Sequence, residues 1–123
     1  MSRLGASKEA IATILSENGL VVADTGKFAA PCVLFEPGEP WATVDLSFGR
    51  KRTGRWRLTL VAGRADSAGN IDKLMSMVDE ADAALLKLPG VELPAWGKPF
   101  DATFGNVVYG VTQATIQYIT QEV

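Results

Sequence analysis

The chain of 123 residues is long enough for one domain and too short for two of ordinary size. With 47% hydrophobic and 21% charged residues it has the composition of a folded domain with its own core, which excludes a disordered chain. It has no histidine, one cysteine and a formal charge of -2, which excludes Ser-His-Asp and Cys-His catalysis, an internal disulfide, a cysteine zinc module and any global attraction to nucleic acid or membrane.

No apolar run approaches a membrane span, and Met1-Ser2-Arg3-Leu4-Gly5 lacks the apolar core of a signal peptide, so a soluble protein of a reducing compartment is expected. Ser7 is placed to cap a helix running to about Asn18, with Ala10, Ile11, Ile14 and Leu15 at helical spacing and Gly19 as its stop. Leu20 to Ala23 reads as a short strand, and Cys32 to Phe35 as an apolar one that buries the Cys32 thiol. Two prolines and a glycine make Glu36-Pro37-Gly38-Glu39-Pro40 a turn or loop.

From Thr43 to Phe48 the chain alternates, with Val44, Leu46 and Phe48 on one face. The loop Gly49-Arg50-Lys51-Arg52-Thr53-Gly54 leads into a second strand, in which Trp56, Leu58, Leu60 and Ala62 face one way and Arg55, Arg57 and Thr59 the other. The pair reads as an antiparallel hairpin. Ser67 or Asn70 caps a second helix to about Leu88, with Ile71, Leu74, Met75, Val78, Leu85 and Leu86 as its buried stripe, bridged by Ala81, and Lys73, Asp79, Glu80 and Asp82 on its wet side. Pro89-Gly90 ends it. Val91 to Phe100, with Pro94, Gly97 and Pro99, reads as a long irregular connection, and Val107 to about Gln121 as a last strand.

The motifs of phosphate-binding loops, dinucleotide sites and serine hydrolases are absent from the sequence; Thr25-Gly26-Lys27-Phe28 lacks the upstream glycine and the hydroxyl of a phosphate loop. Asp79, Glu80 and Asp82 diverge around a helix and read as a solvated face, not a cation site. No catalytic residue, cofactor site or metal site is expected. The strongest charge asymmetry is the hairpin, where Arg50, Lys51, Arg52, Arg55 and Arg57 gather five of the twelve basic residues. Three readings stand for it: contact with an acidic protein surface, a solubilising tip that discourages edge pairing, and a grip on nucleic acid. Trp41 and Trp96 fall in segments read as loops, where large aromatics need cover from their own domain or from a neighbouring subunit.

The order of elements across nearly the whole chain resembles the tail terminator, or tail completion, proteins of long-tailed phages. The local points of similarity are Asn18-Gly19-Leu20-Val21-Val22, the apolar strand after Pro31, Val61-Ala62-Gly63-Arg64-Ala65-Asp66, the helix from Ile71 to Leu86, Gly105-Asn106-Val107-Val108-Tyr109, and the terminal strand with Thr115 and Ile116. The resemblance implies an α+β fold, a mainly antiparallel sheet with a long β-hairpin and two helices packed on it. It also implies a homohexameric ring that caps the tail tube, stops its polymerisation and joins tail to head. Its partners would be further copies of itself, the tail tube protein and the head-tail connector or neck proteins. It would sit in the virion at the head-proximal end of the tail, after assembly in the host cytoplasm, with DNA passing through the ring but no specific nucleic-acid binding. Interface candidates, resting on charge and exposure, are Arg50, Lys51, Arg52, Arg55, Trp41 and Trp96. The alternatives are another neck or tube subunit of related fold and, from a different class, a small nucleic-acid-binding domain using the basic segment 50–57; an enzyme using carboxylates, Lys or Tyr stands third.

Overall fold

Residues 3–24, 26–45, 50–92 and 94–122 are described by a computed structural model of the chain, with the side chains of residues 3, 4, 44, 45, 50–52 and 120–122 left aside. In chain order the elements are α1 (Arg3–Glu17), β1 (Val22–Ala23), β2 (Cys32–Asp45), β3 (Arg50–Arg64), α2 (Asn70–Leu85), β4 (Phe100–Phe104) and β5 (Val107–Glu122). The strands form one sheet in the order β1-β2-β3-β5-β4, in which β1 runs parallel to β2 and every other pairing is antiparallel. This is a small α+β domain with a five-stranded mixed sheet and two helices packed on it.

Helix α1 begins four residues before the expected cap. Ser7 therefore lies inside the helix, buried, where its hydroxyl accepts a hydrogen bond from Trp56 Nε1 at 3.0 Å. Ile11 and Leu15 point into the core as their spacing predicts, and Gly19, at φ 92°, ends the helix. The segments read separately as an apolar strand, a proline loop and an alternating strand are one strand, β2. The prolines are tolerated because β1 pairs only with Val33 and Leu34, leaving the rest of β2 bonded on its β3 side alone. There a residue without an N–H costs no ladder bond on the open side, and the register shift between Pro37 and Ala42 absorbs the irregularity.

The expected loop 49–54 is also corrected. Arg50 to Gly54 are strand, with Gly54 opposite Ala42 on one side and Tyr118 on the other. The reversal of the hairpin, and with it Leu46, Phe48 and Gly49, lies outside the described residues. Strand β3 is central, and pairing on both flanks satisfies its backbone along its length. Trp56, Leu58, Leu60 and Ala62 are buried toward the helices as alternation predicts. Thr59 lies on the opposite face with Arg55 and Arg57, as expected, but is fully buried there and accepts a hydrogen bond from Gln113 Nε2 at 3.0 Å.

Helix α2 starts at Asn70 after Gly69, which adopts φ 80° and offers no side-chain cap, so neither Ser67 nor Asn70 caps it. The Asn70 amide instead reaches back to the Arg64 carbonyl at 2.8 Å. It sits over Gly63 and Gly110, which face each other in register; a Cβ on Gly110 would stand 3.0 Å from Asn70 Nδ2. The buried stripe of α2 is Leu74, Met77, Ala81, Ala84 and Leu85, whereas Ile71, Met75 and Leu86 are exposed. Three of the six residues expected in the core thus face water.

The main core lies between the helices and the sheet, where Ile11, Leu15, Leu58, Leu60, Ala81 and Ile116 are each sealed from solvent. A smaller cluster on the other face joins Cys32, Leu34, Val61 and Val111 beneath Phe28, which packs edge-on to Phe104 at 5.4 Å and tilted against Tyr109 at 5.2 Å. The stretch from Val91 to Pro99 is irregular as expected, but it runs along the edge of β5. Glu92 N–H donates to Gln117 O, Gly97 N–H to Gln113 O, and Thr112 Oγ1 to Gly97 O. Pro94 and Pro99 have no N–H to give, so the contact never becomes a ladder. The connection ends at β4, a strand absent from the sequence reading.

Candidate interaction surfaces

The far end of the sheet, built from the later part of β2, the start of β3 and the end of β5, carries the expected basic cluster. The backbone of Arg50, Lys51 and Arg52 lies in β3, opposite Glu122, Gln121 and Thr120 of β5; their side chains lie outside the described part. Arg55 lies back across β2, its Nη1 donating to Thr43 Oγ1 at 3.2 Å and to the Pro40 carbonyl at 3.4 Å. Arg57 stands opposite Glu36 in register and forms an ion pair and hydrogen bond with its carboxylate. Both arginines thus hold the two strands together while keeping part of their surface in water. An exposed pair of this kind contributes about 1 kcal/mol or less.

The two tryptophans have different surroundings. Trp41 lies in β2, not in a loop, with its ring edge-to-face on Trp56 at 5.5 Å and 45% of its surface exposed. Trp56 in turn lies beneath Lys8, whose Nζ stands 5.8 Å from the ring centroid. Trp96 lies in the irregular connection, half-buried against the main core, and its Nε1 donates to Asp82 at 2.8 Å. Its cover comes from its own domain, and Asp82, expected on the wet side, anchors it.

At the opposite end of the sheet, α2 and the segment 96–101 enclose two adjoining grooves. One, of about 310 Å³, is lined by Ile71, Leu74, Met75, Val78 and Trp96, with Asp79 at its wall. The other, of about 500 Å³, shares Ile71, Leu74 and Pro99 and adds Asp72 and Asp101. Ile71 is 65% and Met75 57% exposed, an unusual amount of apolar surface for neighbouring turns of one helix. Sequence reasoning assigned both to the core. The available signal was Ala81 and Ala84: at about 100° per residue they share one line with Met77, and Met75 stands on the far side of it.

Among the described residues, neither end assembles an acid-base or nucleophilic constellation. Cys32 is buried, and burial pushes its thiol up to about 11, which keeps it protonated and inert. Among the described residues no cluster of three His, Cys, Asp or Glu side chains could hold a metal ion, and no helix is long and apolar enough to cross a membrane. What the surfaces can do is bind: an exposed aromatic with cations at one end, an apolar groove edged with carboxylates at the other. No protein-family model matches the chain, and no curated protein sequence is significantly similar to it.

Proposed function

We propose that the chain is a structural subunit of a long-tailed phage, a tail terminator that assembles as a homohexameric ring, caps the tail tube, stops its polymerisation and presents a surface to the neck proteins. The observation that carries this reading is the arrangement on which the resemblance rests: two helices on one face of the sheet, and a long β2–β3 hairpin continuing past the helix-covered core at Trp56. The chemistry agrees with it, since one end of the sheet carries exposed Trp41 beside Arg55 and the other an apolar groove edged by Asp72, Asp79 and Asp101. In this reading the basic end of the hairpin contacts an acidic surface of the adjacent subunit or of the tube. Complementary charge there fixes orientation more than affinity.

The test is to measure molar mass in solution and then add the protein to growing tail tubes, with electron microscopy of tube length. A ring that halts elongation supports the proposal. Tubes that keep growing, or submicromolar binding to short DNA at about 0.15 M salt, overturn it. Reversing Arg50, Lys51 and Arg52 to Glu is expected to leave the fold intact and to give tails of uncontrolled length or tails unable to join heads.

A further inference from the structure

We infer that the α2 groove is the docking site for the Trp41 end of a second copy of this chain, in a head-to-tail contact; the inference rests on the ring reading above and names the two surfaces that form it. The groove offers exposed Ile71 and Met75 with Asp72, Asp79 and Asp101 around them. Lys98, the nearest cation along the connection, lines neither groove. The other end offers the opposite combination: Trp41, a large ring packed edge-to-face on Trp56, which itself lies beneath Lys8, with Arg55 alongside, on the strand pair that also carries Arg50, Lys51 and Arg52. Glu36 there is paired with Arg57, and Glu39, Asp45 opposite Lys51, and Glu122 opposite Arg50 offset part of the remaining positive charge, which Arg50, Lys51, Arg52, Arg55 and Lys8 still outnumber.

The two surfaces cannot satisfy each other within one chain. Trp41 packs on Trp56, whereas the grooves run from Thr112, opposite Leu60, to Gly110, opposite Gly63, a displacement of four to seven residues along β3, or roughly 13–23 Å at about 3.3 Å per residue. That exceeds the screening length of about 8 Å at physiological salt. Complementary patches at opposite ends of a molecule pair between molecules, and such a contact closes into a ring when its rotation allows. An aromatic anchor entering an apolar pocket, with charge confined to the rim, is the usual composition of a specific interface.

The experiment mixes two variants, each blocked at one surface: Met75→Glu and Trp41→Glu. Each alone is expected to be monomeric by light scattering, at the 13.1 kDa of one chain, with an unchanged circular dichroism spectrum. Mixed, each contributes its intact surface, and a species of twice that mass is expected. Should either variant lose its fold, Met75→Gln or Trp41→Gln replaces it. A mixture that stays monomeric, or a Met75→Glu protein that still forms the wild-type assembly, overturns the inference; in the latter case the ring reading stands with its contact elsewhere. Adding the wild-type assembly to tail tubes tests that reading separately, because tubes that keep growing refute it while leaving the contact intact.

Discussion

Leu74 and Ile71 occupy neighbouring positions on α2 and carry side chains of the same volume, yet only 2% of Leu74 is exposed against 65% of Ile71. Truncating Leu74 to Ala removes about three buried carbon groups, at roughly 0.8 kcal/mol each, and leaves a void between α2 and the sheet. The expected loss is about 3 kcal/mol, within the range of about 2–5 kcal/mol for buried leucines. Ile71→Ala gives up only the third of its surface that is covered, under about 1 kcal/mol, and recovers a few tenths because Ala is the better helix former. Urea unfolding followed by circular dichroism at 222 nm measures both, with m-values compared to confirm that the unfolded states match. Equal losses for the two variants, or a loss above about 2 kcal/mol for Ile71→Ala, would show that the exposed groove has been assigned to the wrong side of the helix.

Gly90 adopts φ 87°, and a Cβ there would stand 2.7 Å from the Ile119 carbonyl oxygen, so Gly90→Ala is expected to cost about 1–3 kcal/mol in the same urea titration. Gly105, at φ 64° but with open space around it, is the control and is expected to lose less on conversion to Ala. Cys32 is expected to resist a thiol reagent at pH 8 until the chain unfolds. Because its folded pKa of about 11 exceeds the unfolded value near 9, the folded state binds more protons between them, and stability falls as pH rises across that window. The Cys32 contribution, about 2–3 kcal/mol, is read as the difference in pH dependence between wild type and Cys32→Ala.

The parts of the fold legible in the sequence are those where one physical rule decides. Alternation in Trp56, Leu58, Leu60 and Ala62 and again in Ala114 and Ile116 marked the face of β3 and β5 that meets the helices, but not the second buried face, where Thr59, Val61 and Val111 lie. The proline segment was misread because proline's cost depends on whether the N–H side is paired, and that depends on which strand is an edge. The phase of α2 was misread because Met77, Ala81 and Ala84 are smaller or less branched than Ile71 and Val78, so a stripe chosen by bulk rotates away from the one that packs closely on the sheet. Strand β4 escaped notice because Asp101 interrupts five residues bounded by Pro99 and Gly105. For the candidate surfaces, the sequence located the basic end and Trp41 but placed Trp41 and Arg50 to Arg52 in loops. It could not locate the groove, whose residues looked like core.

The sheet order also governs how the chain reaches its native state. Strand β3 has β5 as one neighbour, but α2 and β4 lie between them in sequence, so the most extensive pairing in the molecule closes a loop from Arg64 to Tyr109 at its nearest point and spans far more at its other end. The residues up to Arg64 can form the β2–β3 hairpin early, yet one flank of β3 stays open and α2 lacks part of its floor until Ala114 and Ile116 arrive. Folding is therefore expected to be slow for a chain of this size, with the transition state crossed when β5 docks. Until then the unpaired flank of β3 is the segment most open to pairing with another chain, and during synthesis it is the stretch whose shielding by a chaperone would matter most.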